Sequence, residues 1–109
     1  MSDKVNVLGT IYTIERRAEK DDKKLEGLGG YTDVYKRLIV IRTDWNEEPD
    51  EKMLKDILRH EIIHAFAYES GLWDNSNKVD VWATNEEMID WIALQGLKIY
   101  KAWAEAGAV

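Results

Sequence analysis

The chain has 109 residues, with 15 Lys and Arg against 21 Asp and Glu, which gives a formal net charge of -6 at pH 7. This length predicts one domain with one core, and the acidic charge without a basic cluster argues against nucleic acid as a direct partner. Cysteine is absent, so disulfides and thiolate metal sites are excluded and any metal must bind His, Asp or Glu.

The N-terminal part of the chain predicts a small antiparallel sheet. The stretch VNVLGTIYTI, residues 5–14, is rich in β-branched and aromatic residues and predicts a strand, with Gly9 as a bulge. The charged residues 15–30 predict a connection, and residues 31–44 predict either one long strand or a tight hairpin. No apolar run has the length of a signal peptide or of a membrane span, so we expect a cytoplasmic protein without a membrane partner.

Two long helices are predicted after this sheet, which makes the expected fold class α+β. Pro49 and the acidic residues that follow it suit a helix N-terminus, and Gly71 suits a C-terminal stop, so the first helix is expected over about residues 50–70. For the second helix, Thr84 and Glu87 are spaced as a capping box. Its apolar period continues to about residue 103 and predicts a buried face made of Ile89, Ile92, Ala93, Gly96, Leu97, Tyr100 and Trp103.

Tryptophans are frequent in this chain, and two of them lie in the loop between the helices. Trp73 and Trp82 are read as core residues, with a wall of a substrate cleft as the alternative. Trp91 and Trp103 are assigned to helix packing or to a dimer surface, and the oligomeric state stays open.

Both histidines of the chain lie in the motif HEIIH, residues 60–64. His60 and His64 are four positions apart, about 40° round a helix, so both imidazoles can reach one point in space. By chance, that spacing is expected in about 2% of such chains and a glutamate in this slot in about 10% of those, or about 0.2% together. Glu61 points about 100° away and suits the role of a general base that takes a proton from a metal-activated water.

A zinc hydrolase site usually has three protein ligands, and without a third histidine the third must be a carboxylate. The segment NEEMID, residues 85–90, offers candidates at the start of the second helix. Glu86 falls near the edge of the predicted buried face, whereas Glu87 points away from it. Asp90 suits a carboxylate that accepts the outer ring N–H of a ligating histidine, with an ordinary solvated aspartate as the alternative.

HEIIH followed 21 residues later by NEEMID resembles the gluzincin branch of HExxH zinc metallopeptidases, the thermolysin-like group, whose second motif is NExxxD. The match covers the two helices, about half of the chain. The resemblance implies a minimal zincin-like metallopeptidase domain over residues 1–109, with Zn²⁺ on His60, His64 and Glu86, catalysis by Glu61 and support of His60 by Asp90. The short layout is also similar to small metallopeptidases predicted in phages and prophages, which implies the cytoplasm of a bacterial host.

Larger gluzincins use a histidine or tyrosine from outside these motifs to stabilise the oxyanion, and this chain has no spare histidine. A tyrosine or a backbone N–H is expected to substitute, with Tyr31, Tyr35 and Tyr68 as candidates for oxyanion or substrate contacts and simple packing as their alternative role. In HExxH families the strand nearest the metal helix pairs with an extended substrate, so the resemblance implies that residues 37–43, RLIVIRT, form that edge.

The sequence thus predicts a zinc-dependent peptidase that acts on a peptide or protein substrate, with Glu61 moving the proton. The alternative is a non-catalytic phage regulatory or interaction module in which the same ligands hold a structural zinc ion. A protein that binds no metal is the third reading. Substitution of Glu61 by Gln separates the first two, because it removes the base and leaves the ligands in place.

Overall fold

The computed structural model describes residues 3–45, 47–73 and 84–109, and in it a four-stranded sheet precedes two helices. The α+β layout predicted from the sequence is therefore confirmed. The strands are β1 (Lys4–Val7), β2 (Thr10–Arg17), β3 (Gly30–Asp33) and β4 (Leu38–Arg42), and the helices are α1 (Glu51–Glu69) and α2 (Glu86–Glu105). None of the helices in these residues is long and apolar enough to cross a membrane.

The first predicted strand is in fact a hairpin, in which β1 and β2 pair antiparallel. Leu8 and Gly9 have φ angles of 51° and 96°, and the Asn6 side chain accepts the Gly9 N–H at 2.7 Å. Positive φ at both central residues is what a two-residue turn between right-twisted strands needs. Gly9 therefore lies in a turn and the expectation of a bulge was wrong.

The sheet has the strand order β1-β2-β4-β3 and is mixed, so the expectation of an antiparallel sheet was wrong for one of its three strand pairs. β3 and β4 form a tight antiparallel hairpin, the second of the two predicted possibilities, but β4 lies parallel to β2. The parallel pair arises because the chain leaves β2 through two short 3-10 turns, forms β3 at the outer edge and returns between β3 and β2. β4 is thus an internal strand, so the expectation that residues 37–43 form a free edge was wrong, and the edges are β1 and β3.

Helix α1 begins and ends as the sequence predicts. The Asp50 side chain accepts the Met53 N–H at 2.7 Å, and Gly71, with a φ of 82°, follows the helix in the left-handed conformation. The buried residues Val7, Tyr12, Ile39, Ile41 and Ala65 form the core between α1 and the sheet. Glu69 adds a polar tie, because its two oxygens accept from the Tyr12 hydroxyl at 2.7 Å and from the Thr10 hydroxyl at 3.0 Å.

Helix α2 packs through its N-terminal half only. Its N-cap is Asn85, whose side chain accepts the Met88 N–H at 2.8 Å, in place of the Thr84 cap that the sequence suggested. Ile89 and Ala93 are buried as expected, but the predicted buried face fails further along. The groove between α1 and α2 reaches Leu97, and Leu97, Tyr100 and Trp103 are each more than half exposed.

Candidate metal centre

Helix α1 presents both histidines on one face. The Nε2 atoms of His60 and His64 are 3.1 Å apart, and the ring centroids are separated by 4.8 Å in an edge-to-face arrangement. Both side chains are largely sheltered, with 19% and 17% of their surface exposed. Burial lowers the pKa of His64, which favours the neutral imidazole that binds metal.

Helix α2 brings a carboxylate to the same point. Glu86 is the first residue of α2, and its two oxygens lie 3.1 Å from His60 Nε2 and 3.1 Å from His64 Nε2. Two ligands at the usual zinc bond lengths and a tetrahedral angle are separated by about 3.3 Å. The three donor groups therefore have the spacing of a tetrahedral zinc site, and the structure brings together the residues that the sequence predicted as ligands.

Glu61 is a second carboxylate near the histidines. Ligand atoms of His60, Glu61 and His64 all lie within 4.8 Å of one another, so this trio could also hold a metal ion. Glu61 Oε2 is 3.9 Å from His60 Nε2, farther than Glu86, and Glu61 Oε1 is bonded elsewhere. Glu86 therefore has the better geometry for a third ligand, and Glu61 lies beside the two histidines.

Asp90 fixes the state of the first histidine. Its Oδ1 is 2.6 Å from His60 Nδ1, and since a carboxylate only accepts, the imidazole must donate from Nδ1. The neutral His60 ring then carries its lone pair on Nε2, the atom that faces His64 and Glu86. Lone pairs and carboxylate oxygens at 3.1 Å repel one another unless a cation or a proton lies between them. The donor set thus fits a divalent cation such as zinc.

Glu61 is the most sheltered acidic group of the site. It is 6% exposed and faces β3, where the Thr32 hydroxyl lies 3.0 Å from its Oε1 and 2.8 Å from its main-chain oxygen. Burial raises the pKa of Glu61 to about 6, and the negative charges of Glu86 and Asp90 act in the same direction. A carboxyl with a pKa near neutral is suited to take up and release a proton.

Two open cavities of about 430 Å³ each flank the cluster and share His60, Glu61 and Glu86 in their walls. One extends over apolar residues of α1 and α2, and the other extends along β3 to Trp73. The site therefore lies in a cleft that is open on two sides. Trp73 forms part of the cleft wall, whereas Trp82 lies outside the described residues.

Comparisons of the chain with protein-family models, with curated proteins and with solved structures found no match. The resemblance to gluzincins accordingly stays a prediction that rests on the two motifs. The geometry described above is independent of it, since it comes from the positions of the side chains.

The three tyrosine candidates are placed differently. The Tyr31 hydroxyl donates to Asp22 and receives a hydrogen bond from Arg17 at 3.3 Å, while the residue lines the cavity that also holds both histidines. Tyr35 is 82% exposed in the turn after β3, and its ring meets that of Tyr68 edge to face at 6.1 Å. The Tyr68 ring also packs edge to face on Trp73 at 5.1 Å. None of these contacts is made with His60, His64 or Glu86.

Sequence reasoning missed two residues of β3 that shape the site. Thr32 binds Glu61 across a sequence separation of 29 residues. Gly30 lies under α1, where an added Cβ would be 2.6 Å from the Val40 oxygen and 3.3 Å from an Ile57 methyl carbon. The signal for Gly30 was the glycine pair that ends residues 15–30, which was interpreted only as part of a loop.

Proposed function

We propose that this protein is a zinc-dependent peptidase. The observation that carries the proposal is the convergence of His60, His64 and Glu86 at 3.1 Å in an open cleft, with the sheltered carboxyl of Glu61 beside them. Zinc in such a site polarises a carbonyl and lowers the pKa of a water molecule. The conclusion concerns the site, because fold alone does not define an activity.

In this proposal some side chains bind zinc and Glu61 transfers the proton. Both histidines and Glu86 would hold the zinc ion, and Asp90 keeps the His60 lone pair on Nε2. Glu61 Oε2, which faces the histidines, takes a proton from water and then delivers it to the leaving amine.

The open edge of the sheet supports an extended peptide as the substrate. The Arg42 N–H donates to the Gly29 oxygen at 2.9 Å, and hydrogen-bonded pairs alternate along an antiparallel ladder. The N–H and C=O groups of Gly30 and Thr32 therefore point away from β4, beside the cavity that holds the histidines. An extended peptide can pair with such an edge. These N–H groups are also candidates for the backbone donor that is expected to stabilise the oxyanion.

The test combines elemental analysis with digestion of a broad peptide library by the zinc-loaded protein. Wild type is expected to carry stoichiometric zinc and to cleave. Glu61→Gln is expected to keep the zinc and to lose at least about 100-fold in rate, because a positioned acid–base group contributes about 10² to 10⁴. Glu51→Gln, an exposed glutamate on the same helix, serves as the matched control and should cleave like wild type.

Two results would count against the proposal. Equal cleavage by wild type and Glu61→Gln would exclude the assigned mechanism. Stoichiometric zinc without cleavage of any peptide would favour the non-catalytic module in which zinc serves folding. The proposal keeps the cytoplasm, of a bacterial host if the gene is carried by a phage, as the compartment.

A further inference from the structure

A hydroxyl group that contacts the Glu61 carboxyl lies on strand β3, at Thr32. Thr32 is half-buried, and its side chain lies on the face of β3 that packs against α1, the same face as Gly30. Its hydroxyl oxygen is 2.8 Å from the main-chain oxygen of Glu61 and 3.0 Å from the carboxyl oxygen Oε1. One hydroxyl thus contacts both the backbone and the side chain of the proposed base.

This double contact leaves the two carboxyl oxygens of Glu61 with different surroundings. Oε1 is held against β3, while Oε2 is directed toward the cluster, 3.9 Å from His60 Nε2. The Thr32 hydroxyl has one proton and shares it between the main-chain oxygen and Oε1 as a three-centre hydrogen bond, which ties strand and helix together at Glu61. A rotation of the carboxyl would break the bond to Oε1 and turn Oε2 out of the site.

We propose that Thr32 is a positioning residue that aims Glu61 Oε2 at the metal site from strand β3. The inference rests on the proposed function for its catalytic consequence, although the contact itself belongs to the fold. Packing does not require a hydroxyl here, since valine has nearly the same shape and is well suited to a strand. The polar group is what makes this strand position suitable for orienting an acid.

The variants Thr32→Val and Thr32→Ser separate a positioning role from a packing role. Thr32→Val keeps the shape of the side chain and removes the hydroxyl. Thr32→Ser keeps the hydroxyl and removes the methyl group. Thr10→Val is the matched control, because it removes another bond of 3.0 Å from a threonine hydroxyl to a glutamate of the same helix, Glu69, away from the cluster.

Two measurements are made on the zinc-loaded full chain: kcat and KM on a peptide that the library identifies, and crystal structures of each variant. Thr32→Val is expected to lower kcat by about tenfold or more, with KM and zinc content unchanged, because the Glu61 carboxyl loses the contact that orients it. Thr32→Ser and Thr10→Val should retain kcat. In the crystals, the Glu61 carboxyl should be displaced in Thr32→Val alone.

Wild-type kcat in Thr32→Val, with the Glu61 carboxyl in its original place, would overturn the inference. If the wild type binds zinc and cleaves no peptide, the peptidase proposal fails, and the crystals alone decide about Thr32. A displaced Glu61 carboxyl in Thr32→Val would then support the positioning role, and an undisplaced one would overturn it.

Discussion

The two halves of the candidate site differ in what holds them in place. The half on α1 belongs to the folded core: the side chains of His60, Glu61 and His64 are between 8% and 19% exposed. The half on α2 stands in solvent, with the side chains of Glu86 and Asp90 exposed by 66% and 64%. One half is thus enclosed by the folded core, while the other lies at the solvent-exposed surface of the first turns of α2.

The connections of the two helices to the rest of the molecule explain this difference. Helix α1 packs on the sheet through Ala65, which is fully buried, and is tied to β2 by the two hydrogen bonds to Glu69. Helix α2 buries only Ile89 and Ala93 among its described side chains. A metal ion bound by residues of both helices would therefore link α2 to the core.

Removal of zinc should produce the largest effect and should act unequally on the two helices. At a free zinc concentration of 1,000 times Kd, binding adds about 4.1 kcal/mol to the free energy of unfolding, and a chelator removes it. We expect amide hydrogen exchange to accelerate more in the N-terminal half of α2 than in α1, because α1 stays packed on the sheet when zinc is removed. Exchange followed by mass spectrometry with and without a chelator measures this, and equal acceleration in both helices would contradict the comparison.

Substitution of the α2 ligand comes next in size. Glu86→Ala should weaken zinc binding by more than about 100-fold. Loss of a residue that only hydrogen-bonds to a ligand costs up to about 100-fold, and loss of the ligand itself should cost more. Glu87→Ala removes the neighbouring exposed carboxylate and should change the affinity little. Titration of both variants with zinc in a competitive chelator assay gives the two constants. A larger loss in Glu87→Ala than in Glu86→Ala would reverse the assignment of the ligand.

A smaller effect is expected from a hydrogen-bonded pair between β3 and the connection before it, Tyr31 and Asp22. The Tyr31 hydrogen bond lowers the pKa of Asp22, so this carboxylate stabilises the fold above its ordinary pKa and the contribution is lost as pH falls through the lowered value. Burial, with help from Asp22, raises the pKa of Tyr31 to about 12, so its contribution is lost as pH rises above 10 toward 12. Tyr31→Phe should therefore reduce stability at neutral pH and flatten both losses.

Unfolding followed by circular dichroism across pH provides the measurement for Tyr31→Phe. Zinc affinity should be unchanged, since the Tyr31 hydroxyl is engaged by Asp22 and Arg17 and makes no contact with the ligands. A loss of zinc binding in this variant would show that the hydrogen bonds of Tyr31 with Asp22 and Arg17 affect the histidines of α1, which the separation described here does not allow.

What could be predicted from the sequence follows from local periodicity. The four-residue spacing of His60 and His64 and the acidic start of α1 after Pro49 are properties of a single helix, so they were accessible without tertiary structure. The choice of Glu86 over Glu87 needed only the direction of each residue around α2. The α+β order of elements was likewise visible in the change from strand-like to helical patterns.

The remaining features depend on contacts between distant segments. Thr32 meets Glu61 only because β3 lies at the edge of the sheet beside α1, and no local pattern reports that neighbour. The internal position of β4 results from the return of the chain between two earlier strands. The apolar period of α2 predicted burial as far as Trp103, but Leu97, Tyr100 and Trp103 are more than half exposed, and periodicity carries no information about how far a second helix packs along the first.

X-ray absorption at the zinc edge of the purified protein tests whether both helices bind one zinc ion. We expect stoichiometric zinc with two imidazole nitrogens and a carboxylate oxygen at about 2.0 to 2.2 Å, and loss of the carboxylate in Glu86→Ala. A protein that retains no zinc, or a Glu86→Ala spectrum identical to that of wild type, would contradict this expectation.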